Sequence, residues 1–199
     1  MGLIRAKGCR NMSKKAAIIL GAQVAMKPDS VLGLATGSSP VGMYQQLIAW
    51  NQAGDLDFSQ VKSVNLDEYF GLTAQNDQSY AYFMYHNLFK GINIDLKNTH
   101  LPDGTNPDIA AECARYDAVI DSMGGVDLQV LGIGGNGHIA FNEPAECFKM
   151  GTHCVTLTQK TIEANARFFE RIEDVPTKAY TMGVGSIMKA KKILMVVNG

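Results

Sequence analysis

Two periods alternate along the chain. Short apolar runs of strand length are separated by longer stretches that read as helices. After Leu3-Ile4, residues 13–26 (SKKAAIILGAQVAM) read as a core-packed helix capped by Asn11 or Ser13, and Lys27-Pro28-Asp29 stops it. Residues 31–35 (VLGLA) have the pattern of a buried parallel strand. Residues 36–40 (TGSSP) form a tight loop. Residues 41–50 follow as a helix, with Met43, Tyr44, Leu47 and Ile48 at helical spacing. Residues 61–66 alternate apolar and polar, as a strand does. A helix begins at Asp77 or Ser79 and runs through 89. Another begins at Asn106-Pro107-Asp108, carries Ile109, Cys113, Tyr116, Ile120 and Met123 on one face, and ends at Gly124-Gly125. Residues 126–133 are a strand, 161–169 a helix, 179–184 a strand, 186–190 a short helix and 193–197 a last strand.

Strands separated by helices predict right-handed βαβ units and an α/β fold with a mostly parallel sheet. No repeat, low-complexity tract or linker divides the sequence, so one domain over 1–199 is expected. Apolar residues make up 46% and charged residues 19% of the 199, which excludes disordered, collagen-like and coiled-coil chains. The formal net charge of −1 supplies no broad basic field, so neither nucleic acid nor a membrane surface is an expected partner. Any anionic ligand must be held locally. No apolar run approaches the ~18 residues that span a bilayer. The A-x-A-like cleavage signal after residues 13–26 is poor. Cys9, Cys113, Cys147 and Cys154 form no C-x-x-C pair, which fits reduced thiols in a cytoplasmic protein. Cys147, His153 and Cys154 lie near one another, but their spacing fits no zinc motif.

In open parallel sheets ligands bind at the carboxyl ends of strands. Three clusters are expected there. Gly37, Ser38 and Ser39 lie between a strand and a helix, where small residues, hydroxyls and a helix N-terminus suit a phosphate. A plain capped turn fits them equally, and the P-loop ending is absent. Asp67-Glu68 ends another strand; one carboxylate can face the crevice as a general base while the other is solvated or paired. An acidic surface turn is the competing reading. The third cluster, Gly132 to Pro144, offers Asn136, His138 and Glu143 in a glycine-rich loop, a set suited to proton transfer near neutral pH. A dinucleotide fingerprint is discounted, because the glycines follow a late strand and no ribose-binding acid stands ~20 residues on.

Together the segments LATGSSPVGMYQQL, VNLDEYFGL with QSYAYFM, LGIGGNGHIAFNEP and IEANARFF resemble the glucosamine-6-phosphate deaminase (isomerase) family. The resemblance runs from near the N-terminus to the last residue. It implies a Rossmann-like three-layer α/β sandwich, a phosphosugar substrate, no metal and no cofactor. The implied reaction turns glucosamine 6-phosphate and water into fructose 6-phosphate and ammonia. By motif position, Asp67 is implied as the base that moves the C2 proton. His138 is implied to open the ring, assisted by Asn136 and Glu143. Gly37, Ser38 and Ser39 are implied to cradle the phosphate, with Arg167 as charged partner on the 161–169 helix. Asn136 stands where some members carry Asp; it is expected to orient His138 by a hydrogen bond.

The family pattern continues past residue 199 with a phosphate-binding Lys, a helix and further sheet. A C-terminally shortened chain is therefore expected, and an inactive deaminase fragment is an alternative. Two others are a 6-phosphogluconolactonase-like hydrolase and a non-catalytic sugar-phosphate-binding domain. The first would show Asp-Glu-Arg at 67–69; the second would carry a DNA-binding segment for which no room precedes residue 31. His153, Cys154 and Val155 replace the basic residues of the hexameric, allosteric members, so activation of that type is expected to be weak or absent. A monomer and a homo-oligomer are both compatible with the sequence.

Overall fold

A computed structural model describes residues 2–198. Five strands form the central sheet: β1 (Val31–Leu34), β2 (Lys62–Asn65), β4 (Thr99–His100), β5 (Leu128–Leu131) and β8 (Ile193–Met195). All are parallel, in the order β4-β2-β1-β5-β8. Three more strands, β3 (Asp67–Tyr69), β6 (His153–Thr156) and β7 (Lys178–Thr181), form a separate antiparallel sheet in the order β3-β7-β6. Helices α1 (Cys9–Met26), α2 (Val41–Gln52), α3 (Tyr80–Asn87), α4 (Ile109–Ser122), α5 (Gln159–Asn165) and α6 (Val184–Met188) connect them.

The apolar runs explain the layers. β1 is buried along its whole length. Its Leu32 and Leu34 share one apolar space with Leu20 of α1 and Leu47 of α2, so those helices cover that face. Tyr116 and Ile120 of α4 and Ile187 of α6 enter the same core. A residue two positions along a strand returns to the same face. Gly33 thus faces the other way, where the Gln129 side chain occupies the space a Cβ would need.

The helical starts partly differ from expectation. α1 begins at Cys9 behind Gly8, with no side-chain cap; Asn11 accepts from the Lys7 amide, and Ser13 is buried against Gly42. Ser79, not Asp77, caps α3 by accepting from the Tyr82 amide at 3.0 Å. Asp108 caps α4 as expected.

The sheet differs more. The strand expected over 61–66 ends at Asn65, and the chain passes through Leu66 into β3 of the second sheet. The Leu66 amide still donates to Leu34 in the central sheet, while its carbonyl accepts from Met182, next to β7. The strand expected over 179–184 is β7, antiparallel to both neighbours instead of part of the parallel sheet. In edge strand β8, Ile193 and Met195 are 41% and 43% exposed.

Opposite the strand ends that face the site, the Asp127 carboxylate is 4% exposed. It accepts from Lys27 at 2.5 Å, Lys191 at 2.8 Å and the Val31 amide at 2.8 Å, tying the starts of β1 and β5 to flanking segments.

Candidate active site

The central sheet reverses its winding between β1 and β5, and a cleft of about 310 Å³ opens at the carboxyl ends there. Asp67, His138, Gly37, Ser38, Ser39 and Arg167 all line it. Three clusters far apart in sequence therefore meet at one place.

After β1, Gly37 adopts φ +92°, a left-handed conformation costly for any residue with a Cβ. That bend turns residues 36–39 across the mouth of α2. Pro40 stands at the N-cap and no side chain caps α2, so its first amides and its partial positive charge face the cleft. The Ser39 hydroxyl donates to Asn198 at 2.9 Å, which joins this loop to the segment after β8.

Asp67 is the first residue of β3, in register with Thr181, and is 6% exposed. Among the described residues no side chain or amide donates a hydrogen bond to its carboxylate. Burial, with Glu68 beside it, pushes the carboxyl up to about 8. Glu68 points away from the cleft and is 2% exposed. Of the two fates expected for the second carboxylate it takes the paired one, with main-chain amides as its partners. An aromatic wall continues from Asp67: the Tyr69 ring lies 4.8 Å from Tyr80 and 5.8 Å from both Phe141 and Phe169.

The third cluster follows β5. Amides of Gly134 and Gly137 donate to His138 and Gly134 carbonyls, both at 2.9 Å, folding the loop back on itself. The His138 ring lies over Gly134, where an added Cβ would overlap the imidazole. Its Nδ1 stands 4.0 Å from Glu143 Oε2 and makes no hydrogen bond among the described residues. Glu143 also accepts from Thr161 at 2.6 Å and from the Asn136 side chain. Burial pushes its carboxyl up, but those donors and the nearby imidazole outweigh it and hold the carboxyl below its ordinary range.

Asn136 does hydrogen-bond His138, through the main chain. Its Oδ1 accepts from the His138 main-chain amide at 3.1 Å, not from the ring, and its Nδ2 holds Glu143. Asn136 and Glu143 do not line the cleft; they stand behind His138. Arg167 does line it, but from a 3-10 turn (Ala166–Phe168) after α5, not from the continuous helix expected over 161–169. Its guanidinium sits 4.7 Å from the Phe168 ring centroid, and none of the ion pairs among the described residues uses it. A stacked guanidinium of that kind is open to a phosphate.

Sequence reasoning held Thr36 and Phe141 within its clusters without giving them a role, and missed Val196 in the cleft lining and Asn198 behind Ser39. Tyr80 was within reach, since it belongs to the aromatic-rich segment after Ser79. Among the described residues no three His, Cys, Asp or Glu side chains gather as a metal cage, and all four cysteines are free.

Comparison with known proteins shows what the whole chain is similar to. The family described as glucosamine-6-phosphate isomerases/6-phosphogluconolactonase matches residues 6–199. A glucosamine-6-phosphate deaminase of Lachnoclostridium phytofermentans is 59% identical over 199 residues, covering 100% of this chain and 84% of the relative. One from Clostridioides difficile is 56% identical, covering 100% and 80%. The solved structure of a monomeric glucosamine-6-phosphate deaminase superposes with a TM-score of 0.95 at 45% identity, covering 98% of this chain and 81% of that one. A 6-phosphogluconolactonase of Thermotoga maritima, at 20% identity and a TM-score of 0.70, shares the fold alone.

Proposed function

The chain belongs to the glucosamine-6-phosphate isomerase/6-phosphogluconolactonase family, on its deaminase branch, and from that premise we propose how its cleft works. Residues 1–199 act as one sugar-phosphate isomerase and deaminase domain. The substrate phosphate is taken by Gly37, Ser38 and Ser39 at the open N-terminus of α2, with Arg167 supplying a cation from the opposite side. His138 opens the ring by moving a proton between the anomeric hydroxyl and the ring oxygen. Glu143 supports the imidazolium that forms in transit, and Asn136 holds both the loop and Glu143. Asp67 then takes the C2 proton and delivers it to C1, while the C2 ammonium gives up a proton and the aldehyde oxygen O1 gains one. This turns the amino aldose into a ketose imine, which water converts to fructose 6-phosphate and ammonia.

One observation carries this assignment: the buried Asp67 carboxylate keeps its lone pairs free and faces the same cleft as His138. A carboxyl near 8 is a strong proton acceptor when ionised, and the substrate ammonium at C2 favours that ionised form. Thiol usage supports a cytoplasmic setting. Parallel assays with glucosamine 6-phosphate and 6-phosphogluconolactone test the reading. Ammonia release from the first and no accelerated hydrolysis of the second are expected; the reverse result would move the chain to the lactonase chemistry.

A further inference from the structure

Glu68 has no role in the reaction steps above, yet it is among the most completely enclosed carboxylates in the molecule. No cation is paired with it among the described residues. Its Oε1 instead accepts from the Tyr69 amide at 2.8 Å and the Tyr80 amide at 2.9 Å, and its Oε2 from the Ala81 amide at 2.8 Å. Tyr80 and Ala81 open α3, where amides lack helical partners and the helix carries partial positive charge. Ser79 takes the Tyr82 amide, so the two side chains together occupy the first turn. Glu68 is thus a carboxyl group seated on a helix N-terminus, one residue from a second carboxyl group that accepts no hydrogen bond among the described residues.

The surroundings leave few other charges to act on Asp67. β3 contributes Glu68 and Tyr69, α3 contributes Tyr80, and α4 contributes Tyr116, whose hydroxyl donates to the Asn65 carbonyl at 2.5 Å. From β7 the facing residue is neutral Thr181. His138 and Arg167 stand among the cleft lining. Burial keeps all three phenols well above their ordinary range, hence neutral at working pH. Glu68 is the other acidic side chain beside the base, and it carries its negative charge once ionised.

Building on the deaminase reading, we infer that Glu68 is a positioning residue. Its amide-held charge keeps Asp67 a stronger proton acceptor than an isolated aspartate, and its bridge from β3 to α3 fixes the Tyr80 wall of the cleft. Burial pushes the Glu68 carboxyl up to about 7 even though three main-chain amides favour its ionised form, whereas Asp67, with no comparable donors, is pushed up to about 8. The pair therefore titrates with Glu68 ionising first and Asp67 second.

The test has two arms. Glu68→Gln keeps the shape and removes the charge. The acid limb of its kcat/KM profile should move about one pH unit lower, with a plateau severalfold below wild type because the base is weaker. A folded Glu68→Gln enzyme with the wild-type acid limb would overturn the inference. The second arm needs no variant and no turnover. Carbon-13 titration of carboxyl signals in the intact protein should show Glu68 losing its proton below Asp67. Asp67 ionising while Glu68 remains protonated would overturn it. This arm also separates the two proposals, since an absence of deamination bears on the reaction and leaves the titration order intact.

Discussion

Asp67 shows what one residue costs and supplies. A carboxyl raised to about 8 is neutral in the folded chain over a range where the unfolded chain has ionised it. Its burial therefore lowers stability as pH rises from the ordinary carboxylate range through about 8, and has no such effect below that range. Asn never ionises. Asp67→Asn should melt at a higher temperature than wild type above pH 8, with the difference vanishing near pH 4, while kcat falls about 10²–10⁴-fold. Calorimetry at the two pH values and steady-state kinetics check the pair of effects. Gly134 is a second residue with a separable role. Its missing Cβ makes room for the imidazole, so Gly134→Ala should displace His138 and lower kcat roughly 10–100-fold. Circular dichroism should show the fold retained. His138 and Glu143 were legible in the sequence, because they carry chemistry that a glycine-rich loop rarely needs, whereas Asp67-Glu68 taken alone read also as an acidic surface turn. Their second partners were not: which atom Asn136 holds, and what encloses Glu68, depend on contacts between segments distant in sequence.

At the scale of elements, fully buried runs were the readable ones. VLGL and LQVL form β1 and β5 because a parallel central strand is apolar on both faces or fills one face with a packed polar group such as Gln129. The second sheet was not readable. β6 is half-exposed and four residues long, and nothing such as Gly or Pro marks the exit from the central sheet at Leu66. That unmarked exit is what carries Asp67 into the cleft. At the far end of the sheet, Asp127 does structural work only. The two lysines and the Val31 amide hold its carboxyl at about 2 despite burial. Its contribution is present above the ordinary carboxylate range and is lost as pH falls toward 2. Asp127→Asn should cost about 1–3 kcal/mol, mostly by leaving the lysines and amide poorly paired. Denaturant melts should show this loss at pH 7 and little difference near pH 2. The kcat of the folded fraction at 25 °C should stay unchanged, because Asp127 lies at the opposite end of the strands from the cleft.

For the whole molecule, the proposed phosphosugar substrate is compatible with near-zero net charge because the proposal captures its phosphate locally. A helix N-terminus, a serine loop and one stacked guanidinium gather at the switch point of the sheet, so no broad basic surface is needed. The same switch point brings Asp67, the proposed base, from one half of the fold and the His138 imidazole from the other. Composition alone excluded several classes but could not locate this convergence, which follows from strand order. The most direct test is turnover by the purified, folded chain. Incubated with glucosamine 6-phosphate at pH 8, it should release ammonia and fructose 6-phosphate in equal amounts, and Asp67→Asn should suppress both together. No release of either product by folded protein, or equal release by the Asp67→Asn variant, would contradict the account.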